Sequence, residues 1–168
     1  ARTGGRSRRA GLFLTWFMTG SIAETFDRIS SQHRSRIAVY GLSEEVTRTF
    51  AELRDDVSAL QGALRALHLP SPPTIISNVG NRTGFIPLFL ASAGLGSSFL
   101  PLDGGASARE VLDMADVSGA DLVVVMGRAH EATIRRVVDA GREYGVSVMG
   151  DNLAADDRVA NARWMEKL

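Results

Sequence analysis

The sequence predicts an α/β fold: a parallel sheet flanked by helices on both faces, a partial doubly wound subdomain, with a small antiparallel edge ribbon. Three observations predict it. From Thr74 onward, short apolar runs of strand length alternate with helical stretches in the order β-α-β-α-β-α-β. One run, Leu122-Val-Val-Val-Met126, has no polar alternation, as expected of a parallel strand buried on both faces. Three helix starts carry Ser or Thr followed three residues later by Glu, at Ser21/Glu24, Thr49/Glu52 and Ser107/Glu110. In such a capping box the hydroxyl accepts the third helical amide while the carboxylate accepts the capping residue's own amide.

The first helix is expected to bury Ile22, Phe26 and Ile29. Ile37 to Tyr40 and Val46 to Phe50 read as the antiparallel ribbon. The second helix is the clearest. Phe50, Leu53, Val57, Leu60, Leu64 and Leu67 recur at spacings of three and four, and Arg54, Asp55, Asp56 and Arg65 fall off that stripe and should face water. Pro70, Pro72 and Pro73 end it in a turn.

Strands are then expected at Thr74–Val79, Ser98–Leu102, Asp121–Met126 and Val146–Met149. Phe85 to Ala93 is apolar all round, so its helix should be buried, with Pro87 in or near the first turn, where a missing donor costs least. The next helix is expected to use Val111, Met114 and Val117. The one after it should use Ile134, Val137 and Val138, with Gly145 as its stop.

Three segments follow: 1–20 a basic tail and apolar lead-in, 21–150 the α/β subdomain, and 151–168 a polar tail with a weak helix. Arg2, Arg6, Arg8 and Arg9 precede the apolar run Gly11 to Met18, which has the outline of a signal peptide. No small-x-small cleavage site follows, and the run is too short to span a bilayer. A basic tail with a docked apolar segment is the better reading; surface contact with anionic lipid is the lesser one. Both ends read as fragment ends.

The 168 residues are 45% hydrophobic and 23% charged, the balance of one globular domain. Zero formal net charge gives no basic excess for a nucleic acid. Eighteen Arg stand against a single Lys, Lys167, a skew attributable to genome composition. The absence of Cys excludes disulfides, cysteine nucleophiles and thiolate metal sites, and is compatible with the cytoplasm, the expected location.

Candidate chemistry gathers where strands end. Gly80-Asn81-Arg82-Thr83-Gly84 follows a strand and opens a helix, a place where amides can meet a phosphate with help from Arg82. Gly80, Arg82, Thr83 and Gly84 are the candidate cofactor-binding residues. The loop is neither G-x-G-x-x-G nor a P-loop, and an ordinary turn with Thr83 as cap outweighs the phosphate reading. Asp103 could hold a metal or a ribose, but more naturally starts a turn by bonding backbone amides. His130 and Glu131 could form an acid/base pair, against the plainer reading of a helix start. His33 and His68 flank helix ends as structural residues. Asp151, Asp156 and Asp157 lack the alternation of a cation loop, no His pair has metal-ligand spacing, and no Gly-x-Ser-x-Gly elbow occurs. No metal site is expected.

The order of these pieces resembles the N-terminal region of the adenylate-forming (AMP-binding) superfamily, which includes acyl-CoA synthetases and aryl-CoA ligases. Thr49-Phe-Ala-Glu-Leu53 resembles that family's Thr-Tyr-x-Glu-Leu helix opening. Leu60 to Leu69 resembles its helix end, with His68 where Gly is usual. Thr74 to Asn81 resembles the next strand and its Asn turn. Phe89 to Gly94 through Pro101-Leu-Asp103 resembles its Leu-Ala-x-x-x-Ala-Gly-…-Pro-Leu-Asp segment, and Gly119 to Val125 the strand that follows. The match covers about Ser21 to Gly127.

The resemblance implies an N-terminal subdomain, or one chain of a split enzyme, that activates a carboxylic acid with ATP and passes the acyl group to a thiol. It implies ATP/Mg and CoA for the complete enzyme, with none held strongly by this chain alone. The family's phosphate loop, adenine segment and lid lie beyond this region, so no catalytic residue is transferred and the chain alone should be inactive. The implied partner is the remainder of the enzyme or a complementary chain, with a homo-oligomer also open. Two other readings remain at this point: a stand-alone α/β module for a nucleotide or acyl ligand, and a structural or interaction domain.

Overall fold

The computed structural model describes residues 20–125 and 147–150. Helix α1 (Ile22–Gln32) is followed by strands β1 (Ile37–Gly41) and β2 (Val46–Thr49), then by the long helix α2 (Phe50–Ala66). The remainder alternates: β3 (Thr74–Asn78), α3 (Phe85–Gly94), β4 (Ser98–Pro101), α4 (Ala108–Ser118), β5 (Leu122–Val125) and β6 (Ser147–Gly150). The expected third-strand helix with Ile134, Val137 and Val138, its stop Gly145, and the segments 1–19 and 151–168 lie outside the described residues.

β3 to β6 form one parallel sheet in the order β4-β3-β5-β6. Ile75 pairs with Phe99 on one side and Leu122 on the other, and Val123 pairs with Val148. The period of two splits the core. Ile75, Val79, Leu122 and Val124 pack with Leu53, Val57, Leu60 and Leu64 of α2 and Leu88 of α3. Ile76, Val123 and Val125 face the opposite side and pack with Val111 and Ala115 of α4. Helices therefore cover both faces. β5 is buried at every residue, as its unbroken apolar run requires.

All three expected capping boxes are present, with hydroxyl and carboxylate both engaged at Ser21/Glu24, Thr49/Glu52 and Ser107/Glu110. At Thr49 the carboxylate accepts the amide at 2.8 Å and the hydroxyl accepts Glu52's amide at 3.3 Å. In α3, Pro87 sits in the first turn and is fully buried. Phe85 and Phe89, one turn apart, stack at 6.3 Å and both meet Phe99 of β4 edge-on.

Several expectations are corrected. Ile22 is 56% exposed. Phe26 packs against the core and Ile29 is half-buried, as expected, but at the start of α1 it is Ala23 rather than Ile22 that faces α3, near Gly94, and Ser30 is buried at its end. Val117 is 82% exposed, while Val111 and Ala115, one turn apart, face the sheet. Val117 lies about 200° round the helix from Ala115. The small antiparallel ribbon, by contrast, is present as expected, β1 pairing with β2 as a two-stranded sheet of its own. Asp56 is half-buried rather than solvated, because Arg48 of β2 reaches it at 3.2 Å. Burial pushes the Asp56 carboxyl above its ordinary range, against the pull of Arg48.

His68 follows α2 with φ 52°, in the left-handed region. That explains on physical grounds why Gly suits this position: glycine has no Cβ to strain there.

Candidate functional site

The carboxyl ends of β3 and β4 lie side by side, and the loops that leave them interlock. Asn78, the last residue of β3, is 2% exposed and donates its side-chain amide to the carbonyl of Asp103 at 2.8 Å. Leu102 donates its amide to the Ser77 carbonyl at 2.7 Å. Gly80 then turns the chain at φ 65°, with its α-carbon against Gly104. A Cβ on Gly80 would stand 3.1 Å from the Gly104 Cα, so side chains are excluded from both loops at the crossing. The aspartate does start a turn, but through its carbonyl, which accepts the Ala106 amide at 2.9 Å; among the described residues its carboxylate bonds no backbone amide.

The four candidate residues are contiguous but differ in what they offer. Arg82 is exposed, and its carbonyl accepts the Phe85 amide at 3.0 Å. Gly84 is buried and is the N-cap of α3, with no side chain to cap the helix. Thr83 is therefore not the cap. Its amide donates to Glu44 Oε2 at 2.8 Å, and its hydroxyl donates to the same oxygen. Glu44 comes from the turn between β1 and β2, 39 residues upstream. Sequence reasoning missed this partner, since no local spacing links the two.

Among the described residues no group of three His, Cys, Asp or Glu side chains could hold a metal ion. His130, Glu131, Asp151, Asp156 and Asp157 lie outside the described residues. His33 closes α1 by donating its amide to Ile29 and lies 6.4 Å from the Phe50 ring; with His68, it occupies the helix-end position expected of it.

Comparison with known proteins decides the family. Residues 26–165 match the AMP-binding enzyme family. The chain belongs to that family. No curated protein is significantly similar to it in sequence. Among solved structures it resembles a luciferase-like enzyme from Zophobas morio, at 14% identity and TM-score 0.70, over 88% of this chain and 35% of that one. It also resembles coronafacic acid ligase from Pectobacterium brasiliense, at 17% identity and TM-score 0.71, over 84% of this chain and 28% of the other. A third match is the N-terminal subdomain of Klebsiella oxytoca NpsA, at 20% identity and TM-score 0.57, over 62% of this chain and 27% of that one. At these identities the structures establish the fold.

The chain spans about a quarter to a third of the length of these structures. The NpsA match is narrower than an N-terminal subdomain, since 27% of a chain that is itself only that subdomain is covered. The ordered motifs of this family in the sequence, from Thr49-Phe-Ala-Glu-Leu53 to Pro101-Leu-Asp103, fall on α2, β3, α3 and β4. They are scaffold positions: Leu53, Leu60 and Leu64 are core residues. No helix among the described residues is long and apolar enough to cross a membrane.

Proposed function

We propose that this chain supplies part of the N-terminal subdomain, as one piece or as one chain of a split protein, of an acyl- or aryl-CoA-synthetase-like enzyme that activates a carboxylic acid with ATP. The observation that carries the proposal is the family match over residues 26–165 on a parallel sheet whose helices cover both faces. On this reading the chain is scaffold. Its partner is the remainder of the enzyme, which brings the phosphate-binding and adenine-binding segments and the lid, and ATP, Mg and CoA bind to the assembled protein.

Within this proposal Gly80, Arg82, Thr83 and Gly84 are the segment of the chain nearest in kind to a phosphate-binding turn. Gly80's left-handed backbone and Arg82's exposed guanidinium support that role. Glu44 weighs against it, because its carboxylate already accepts from Thr83 and would repel a second anion. A phosphate at this turn requires Glu44 to move.

The test is acid-dependent ATP–pyrophosphate exchange. The parent reading frame, with any adjacent gene that encodes the phosphate loop and lid, is expressed and assayed with a panel of aliphatic and aromatic acids. Exchange by the reconstituted protein and none by the 168 residues alone is expected. A stop codon after Leu168 with no neighbouring gene supplying those segments would remove the proposal, as would robust exchange by this chain alone.

A further inference from the structure

Three of the four helices among the described residues that open the fold carry their own capping box, whereas α3 begins at Gly84 with no capping side chain and no acidic residue in its first turn. The anion it lacks arrives from the β1–β2 turn. Glu44 takes both the amide and the hydroxyl of Thr83, the residue just before the α3 cap. One further feature of the turn fits the same contact. Gly41, the last residue of β1, must lack a side chain, because a Cβ there would collide with the Thr83 methyl group. Glu45, at φ 53°, is the left-handed residue that closes the loop between β1 and β2.

The two-stranded sheet that carries this turn is of a size that is marginal by itself. Its other end is tied down separately, where Phe50 and Ala51 donate their amides to the carbonyls of Arg36 and Arg34, both at 3.0 Å. The turn end has Glu44. We propose that Glu44, Gly41 and Thr83 form a latch that fastens the turn end of the β1–β2 hairpin to the entrance of α3, and that releasing it frees that end while the far end, held by Phe50, Ala51 and the Arg48–Asp56 pair, and the parallel sheet stay folded. Closed, the latch engages the Thr83 donors. The β3–α3 loop and the hairpin are therefore coupled, since whatever takes those donors from Glu44 unfastens the hairpin.

Native-state amide hydrogen exchange tests it. Glu44→Ala removes a doubly used charged acceptor, so the Thr83 amide and the β1–β2 ladder amides beside the turn, between Tyr40 and Thr47, should exchange about tenfold faster or more. The amides of Ile75, Ile76, Val123 and Val124 should keep their rates. Gly41→Ala, which acts through shape rather than charge, should accelerate the same set. Glu44→Gln keeps an acceptor oxygen without the charge, should fall between parent and Glu44→Ala, and serves as the readout if the alanine variant does not fold. Turn-end amides that exchange at the parental rate in these variants would overturn the latch. So would an equal acceleration in β3 and β5, which would mean one cooperative unit.

Discussion

Gly80 and Gly104 touch back to back, each occupying the space that the other's side chain would need. They belong to loops that leave neighbouring strands at the same edge of the sheet. The contact sets how closely the β3–α3 and β4–α4 connections approach, and so the shape of the edge where the candidate loop lies. The two glycines are not equivalent. Gly80 has φ 65°, so a side chain there meets both backbone strain and a neighbouring Cα at 3.1 Å. Gly104→Ala meets only the second obstacle. Gly96, at φ 69°, has open space and meets only the first. Gly80→Ala is therefore expected to cost the most of the three, about 2–4 kcal/mol, against about 1 kcal/mol for Gly96→Ala. Urea unfolding midpoints check the order. Equal losses at residues 80 and 96 would show that the crossing is looser than it looks.

His68 offers the converse experiment. It is exposed and left-handed just after α2. His68→Gly removes the Cβ strain and adds some freedom to the unfolded chain, and the first effect is the larger. A gain of about 0.5–1 kcal/mol is expected, read as a rise in the thermal midpoint. A loss of stability would mean that the imidazole makes a contact worth more than the strain.

The balance between what the chain's pattern reveals and what it hides follows from the range of each interaction. α1, α2 and α4 were legible because Ser21, Thr49 and Ser107 each find their Glu three residues away. β5 was legible because a strand buried on both faces has to be apolar at every residue. The contacts that shape the loop edge are all long in sequence. Glu44 reaches Thr83 across 39 residues, and Asn78 reaches Asp103 across 25. No periodicity encodes such pairs. Ile22 and Val117 misled for a related reason. An apolar residue near a helix stripe reads as core, but the true facing angle depends on what the helix meets, here Gly94 for α1 and the sheet for α4.

Ser77 sits in the middle of the buried parallel sheet at 0% exposure, and its hydroxyl has no hydrogen-bond partner. It shares its face with Ile75 and Val79, toward α2 and α3. A buried hydroxyl without a partner costs about 1–3 kcal/mol relative to water. Ser77→Ala is expected to stabilise the fold by about 1 kcal/mol or more. A chemical denaturation series with an unchanged m-value would register this as a higher midpoint. Destabilisation would show that the hydroxyl has a partner in solution.

Acid should loosen the helix starts before it reaches the core. The Glu52 carboxylate is held below the ordinary glutamate range, first by the Thr49 amide and then by the Thr49 hydroxyl. Glu110 is lowered in the same way by Ser107. A folded-state value below the unfolded one of about 4.3 means the stabilisation is complete above that pH and is lost as pH falls through the folded values. Asp56 runs the other way. Its folded value is raised by burial, so its protonated form is relatively favoured and its contribution weakens as pH rises above about 3.9. In the double variant Glu52→Gln, Glu110→Gln the caps keep an acceptor oxygen but no longer titrate. Its thermal midpoint should start lower near neutral pH and fall less steeply between about pH 5 and about pH 3. A slope as steep as that of the parent protein would place the acid sensitivity elsewhere than in these two capping boxes.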